Sequence, residues 1–310
     1  MKNIVLFILL LSPFVGFTPC TRVSESNSPF GVFVGTSLCA QVARPLLGIP
    51  SDAQCDRIKW NLALYFDGLT QKPTTYKLSS EYGYHVDNRT LLMKGSNVRE
   101  GRWKIAKGVK TDPNSIVYQL NTDDAGLTIS FQLLDANLIH LLDRDNSMTV
   151  GNAAQSFTLS RIDQVRNAQN SANVFIKNSA PLKAFGSALV GVFGGRTPCR
   201  EVAQQLNHPV PTDCVKLKWE LTLYQDPQTR TPTTYKLRGT LFRDYDREGT
   251  WTVVRGRAGD PNALVFKLDP EKNGRSLLLF NADDRVLFFL HNDGTLMVGN
   301  RDFSYTLNRD

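Results

Sequence analysis

Apolar and polar residues alternate with a period of two along much of this chain. Trp60, Leu62, Leu64 and Phe66 are interleaved with Asn61, Ala63 and Tyr65, and Trp219, Leu221 and Leu223 with Glu220, Thr222 and Tyr224. A strand sends successive side chains to opposite faces, so this pattern predicts β-strands with one face on a core. Ile116, Tyr118 and Leu120 repeat it, as do Leu264, Phe266 and Leu268. Further strand-like runs cover 128–134, 137–142, 276–280 and 285–290, and Phe157/Leu159 and Tyr305/Leu307 follow. Turn formers separate them, among them Asp112-Pro113-Asn114, Asp123-Asp124-Ala125-Gly126 and Asn292-Asp293-Gly294. One stretch reads as a helix: 200–206 places Val202, Ala203 and Leu206 on one face before Pro209, and Pro45 shortens its counterpart.

The runs occur twice. Lys59-Trp60-Asn61-Leu62-Ala63-Leu64-Tyr65 matches Lys218-Trp219-Glu220-Leu221-Thr222-Leu223-Tyr224, and Pro73-Thr74-Thr75-Tyr76-Lys77-Leu78 recurs unchanged from Pro232 to Leu237. Gly101-Arg102-Trp103 matches Gly249-Thr250-Trp251, and Val150-Gly151-Asn152 matches Val298-Gly299-Asn300. The offset is 160 at Cys39 and Cys199 and 148 from the second Trp onward, so the first copy carries eleven extra residues between Leu78 and Trp103, including Tyr82, Tyr84 and His85. A longer hairpin is expected there. The period is too long for a solenoid repeat, so each copy is expected to fold as its own domain. Each holds about seven to nine strand-like runs, which favours an antiparallel barrel over a sandwich. The predicted fold is all-β, two tandem barrels joined by a linker.

The N-terminus reads as an export signal. Lys2 precedes the apolar run Ile4-Val5-Leu6-Phe7-Ile8-Leu9-Leu10-Leu11, which is too short for a comfortable membrane span. Cys20 follows, and then a Ser-rich stretch without apolar periodicity. That order predicts a lipidated Cys20 on a flexible tether, with a soluble secreted form as the alternative. The layout is then a signal peptide over 1–19, a tether over 20–30, barrel repeats over 31–162 and 189–310, and a linker over 163–188 with a short helix near 163–172. The remaining four of the five cysteines fall into two similar pairs, Cys39 with Cys55 and Cys199 with Cys214, enclosing 15 and 14 residues. In an oxidising compartment they read as two disulfides, each contributing about 3 kcal/mol by loop closure. Metal-binding thiolates are the rival reading, although neither pair has zinc-site spacing.

Composition narrows the class. Among 310 residues, 41% are hydrophobic and 21% charged, which excludes a wholly disordered chain and a multi-span membrane protein. The net charge of +7 is mild and its signs are interleaved, so no nucleic-acid stripe is present.

Gly-x-x-Pro-Cys at Gly195–Cys199, its counterpart Gly35-Thr36-Ser37-Leu38-Cys39, the Leu-x-Leu and Thr-Tyr strands and the Gly-x-Trp segments follow a characteristic order. The chain in this respect resembles the N-terminal domain of the NlpE family of envelope lipoproteins, annotated for copper resistance and envelope stress sensing. The resemblance covers both copies. It implies lipocalin-like barrels on a lipid tether at a bacterial outer membrane, facing the periplasm or the surface, with an envelope protein or small ligand as partner. The family's opening Cys-x-x-Cys is absent: Val42 and Val202 stand at the second position. The expectation is therefore no cofactor, with copper the metal the resemblance would imply.

Candidate chemistry is sparse. None of His85, His140, His208 and His291 recurs at the matching place, and no nucleophile elbow, Walker motif or dinucleotide fingerprint occurs. A non-enzymatic binding protein is expected; a carrier of a small apolar ligand or metal, or a periplasmic enzyme, are the alternatives. The best repeated polar-aromatic set is Arg57, Lys59, Trp60 and Tyr65 with Lys216, Lys218, Trp219 and Tyr224. It would form barrel mouths for an anionic or apolar ligand if the tryptophans line an open interior. Otherwise the tryptophans fill the core and the lysines are solvated strand positions.

Overall fold

A computed structural model describes residues 28–87, 90–121, 127–164, 188–241, 246–269 and 276–310. The export signal, Cys20 and all of the expected linker helix beyond Gln164 lie outside these residues.

The first copy supplies β1 (Gly31–Leu38), β2 (Arg57–Phe66), β3 (Pro73–His85), β4 (Leu91–Lys107), β5 (Ile116–Leu120), β6 (Ile129–Asp135), β7 (Leu138–Leu141) and β8 (Thr158–Arg161). The second supplies β9 (Ala188–Thr197), β10 (Leu217–Gln225), β11 (Pro232–Gly239), β12 (Arg247–Arg257), β13 (Asp260–Leu268), β14 (Leu277–Asp283), β15 (Val286–Leu290) and β16 (Thr306–Arg309). Each strand pairs antiparallel with the next, and the last pairs back with the first, giving two closed up-and-down barrels. Closure leaves no free sheet edge. The backbones come close where it happens: a Cβ on Gly35 would lie 2.8 Å from the Thr158 carbonyl oxygen, and one on Gly195 2.4 Å from that of Thr306. Only glycine fits at these two matched positions.

Both interiors are filled. Trp60, Leu62, Leu64, Tyr76, Phe131 and Leu159 meet in the first, and Trp219, Leu221, Leu223, Tyr235, Phe289 and Leu307 in the second. The indole N–H of each tryptophan finds a buried hydroxyl, Trp60 on Ser37 Oγ and Trp219 on Thr197 Oγ1, both at 2.8 Å. A short helix plugs one end of each barrel. It is α1 (Ala43–Leu47) in the first, burying Ala43 and Leu47, and α2 (Arg200–Gln205) in the second, burying Val202 and Ala203. Disulfides Cys39–Cys55 and Cys199–Cys214 tie each helix to the following long strand, as the cysteine spacing predicts. Phe30, Phe66 and Trp103 stack at the other end of the first barrel, and Tyr118 meets Trp103 edge-on. The eleven extra residues lengthen the β3–β4 hairpin, where Tyr84 pairs with Leu92 and His85 with Leu91.

The outer faces of the barrels are not all solvated. Residues of β5–β7, β12–β15 and the segments just after β7 and β15, outside their own barrel interiors, form a third apolar cluster containing both copies. Val117, Leu138, Leu142 and Met148 share it with their counterparts Val265, Val286, Leu290 and Leu296, and Phe280 and Phe288 belong to it too. Thr158 Oγ1 lies 3.0 Å from Oγ1 of its counterpart Thr306, and the His140 ring meets edge-on that of its counterpart Phe288 at 5.6 Å. Matched residues facing each other are what an isologous two-fold contact produces. Guanidinium groups fasten it: Arg257 donates to the Leu134 carbonyl and Arg285 to that of Met148.

His140 sits in this junction, fully buried. Its Nε2 is 3.0 Å from the Thr149 carbonyl oxygen, which can only accept, so Nε2 carries the proton and Nδ1 accepts from the Thr158 hydroxyl. Burial pulls the imidazole down from 6.5 to about 4. The folded chain therefore keeps His140 neutral where the unfolded chain has already protonated it. Its contribution is intact above pH 6.5 and is lost progressively as pH falls toward 4, by up to roughly 3 kcal/mol. The urea midpoint of the wild-type protein is expected to drop between pH 7 and 4.5 by clearly more than that of His140→Gln; equal drops would exclude a neutral buried imidazole.

Candidate functional site

The eight candidate ligand residues separate into three places. Trp60 and Trp219 are core residues, 2% and 3% exposed, and do not open onto a mouth. Tyr65 and Tyr224 stand at the far ends of β2 and β10, where their backbone carbonyls accept the indole N–H of Trp103 and Trp251. Eight residues of strand, about 26 Å, separate Tyr65 from Arg57. Arg57, Lys59, Lys216 and Lys218 remain. They point outward at the helix-plugged ends, alternating with the buried Ile58, Trp60, Leu217 and Trp219.

The docking of the barrels brings part of this set together and adds a residue. Arg57 from the first copy and Lys216 from the second come within electrostatic reach of each other and of Arg196, which lies opposite Lys218 in the β9–β10 ladder. Burial and then Arg196 lower Arg57, while Asp302 and Asp56 oppose the shift. Burial, Arg196, Arg57 and Lys218 all lower Lys216, whose ammonium also lies 5.6 Å from the centre of the Phe303 ring. Among the described residues, none of Arg57, Arg196, Lys216 and Lys218 makes an ion pair with a carboxylate.

Arg196 borders a small crevice on the two-fold axis, and so does Phe303, the ring nearest the Lys216 ammonium. Thr36 and its counterpart Arg196 line it, as do Ala154 and Asp302, Gln155 and Phe303, and Ser156 and Ser304. Its interior is about 10 Å³, room for one water-sized group. The repeated Val-Gly-Asn segment builds its walls. The Asn152 side chain accepts the N–H groups of Ala154 and Gln155, and Asn300 those of Asp302 and Phe303. Asn308 bridges the halves, accepting from Gly151 N–H and donating to the Asn152 carbonyl. Gln155 is 6% exposed and its Nε2 has no hydrogen-bond partner.

Arg196 is the residue that repeat matching misses, because Thr36 holds its place in the first copy. Its signal is weak: one arginine two residues before the Pro-Cys of the second copy. Among the described residues, no three His, Cys, Asp or Glu gather as a metal site.

Arg196 depresses Lys216, so removing its charge should raise the ammonium back and slow its acylation. At about pH 8, an amine-reactive ester is expected to label Lys216 more slowly in Arg196→Gln than in wild type, read by peptide mass spectrometry. An unchanged or faster rate would contradict the cluster.

No family model, curated protein or solved structure matches the chain.

Proposed function

We propose that this is an exported, non-enzymatic binding protein of the bacterial envelope that works through its outer surface. The observation that carries the proposal is that both barrels are filled and closed. Trp60 and Trp219 occupy the places a carried ligand would need, and α1 and α2 plug the ends. A carrier of apolar molecules requires a cavity of about 300 Å³ or more, and the space available at the barrel junction is far smaller.

Two disulfides fit an oxidising, exported compartment. On this reading Cys20 carries the lipid, the Ser-rich stretch is the tether, and the barrels are held at the outer membrane in the manner of the NlpE family they resemble. Copper ligation by the four barrel cysteines would first require both disulfides to be reduced, so the reading assigns copper no resident site there.

The test is native mass spectrometry of the full chain purified from bacterial membranes, beside a Cys20→Ser variant. The expected results are a diacyl or triacyl mass on the wild type, release of the variant from the membrane, and no small apolar molecule travelling with either. A stoichiometric apolar ligand in each barrel would overturn the surface-binding proposal in favour of a carrier.

A further inference from the structure

We infer that the crevice on the two-fold axis binds a phosphate group, an inference that rests on the surface-binding reading and deepens it. Arg196 lines the crevice, the Lys216 ammonium lies 5.6 Å from the centre of the Phe303 ring in its wall, Lys218 stands opposite Arg196 in the ladder, and Arg57 is within electrostatic reach of Arg196. Among the described residues none of the four makes a carboxylate ion pair; Asp302, also in the wall, and Asp56 are the acids within reach of Arg57. Placing like charges together in a partly buried position is unfavourable unless an anion joins them. Gln155 lines the same crevice, and its buried Nε2 is a donor without a hydrogen-bond partner. An unsatisfied buried donor costs about 1–3 kcal/mol, and an acceptor oxygen entering the crevice would recover it.

The dimensions select the class of anion. The crevice admits one oxygen-sized group and no more. The rest of the ligand must lie at the mouth, among cations that approach from two barrels. A tetrahedral phosphate presents one oxygen to Gln155 and its others to the arginines and lysines, whereas a planar carboxylate has only two to offer. Neither barrel alone holds this set: Arg57 and Gln155 belong to the first, and Arg196, Lys216 and Lys218 to the second. The phosphate could be free in solution or part of an anionic lipid headgroup; the chemistry of the contact is the same.

The experiment uses the full-length chain at low ionic strength and pH 7. Inorganic phosphate is titrated calorimetrically, and its effect on the thermal midpoint is recorded. The expected result is one site per chain, weakened by salt, with Arg196→Gln and Lys216→Gln each losing about tenfold or more in affinity, the scale of one charged hydrogen bond. Gln155→Ala should lose severalfold, and Lys77→Gln, whose lysine pairs with Glu100 away from the crevice, should bind as wild type. Phosphate should raise the midpoint of the wild type and not of Arg196→Gln, which separates lost binding from lost folding. Flotation with vesicles of phosphatidylglycerol and phosphatidylcholine mixed one to four identifies the source. Arg196-dependent capture that free phosphate competes away assigns a lipid headgroup; saturable phosphate binding without capture assigns free phosphate. No phosphate binding and no Arg196-dependent capture, or phosphate binding that Arg196→Gln leaves intact, would overturn the inference. Such a failure would leave the surface-binding proposal standing, since that proposal falls only to an apolar ligand inside the barrels.

Discussion

The structure depends on strands that are apolar on both faces. A barrel needs only its inward face to be apolar, and β2 and β10 obey that rule. β7 and β15 do not: every residue of Leu138–Leu141 and Val286–Leu290 is buried. Leaving Leu138, Val286, Phe288 and Leu290 in water would expose a large apolar patch of the kind that monomers avoid. Each barrel covers the other's patch. The same docking sets Thr158 against Thr306, buries His140 with its proton on Nε2, and draws Arg57 toward Arg196 and Lys216. The hydrophobic contact thus creates the polar crevice at its edge.

Much of this was legible in the sequence. Period-two patterning and the repeated Trp, Thr-Tyr and Gly-x-Trp segments predict two all-β copies, and the paired cysteines predict the two disulfides that form. The extra hairpin length falls where eleven additional residues are inserted. The junction was present as a signal of another kind. Val286-Leu287-Phe288-Phe289-Leu290 lacks polar alternation, which marks a strand buried on both sides, but an apolar run does not say what covers its second face. The basic cluster was half legible. Arg57, Lys59, Lys216 and Lys218 stand out because they repeat, whereas their convergence depends on a docking geometry that periodicity cannot encode. Trp60 and Trp219 share that repeated block yet belong to the core, because alternation sends neighbouring residues to opposite faces.

Duplication also leaves matched positions free to diverge. In the second barrel Tyr235 donates to Asp269 at 2.7 Å, and Arg247 pairs with the same buried carboxylate. In the first, Tyr76 donates to Asn121 at the equivalent place, with Arg99 close enough to act on the tyrosine electrostatically. A neutral acceptor and a charged one thus serve one architecture. His140 against Phe288 and Thr36 against Arg196 are further substitutions of this sort, and each lies on the shared axis, where one change alters a site built from both halves.

A double-mutant cycle across the junction tests the docking most directly. His140→Ala, Phe288→Ala and the double variant would be compared by urea unfolding at pH 7. Two rings in contact between the barrels should show a coupling energy within roughly 0.5–3 kcal/mol. Effects that simply add, within about 0.3 kcal/mol, would mean that the barrels do not pack through these strands, and the crevice with its cations would not exist as a single site.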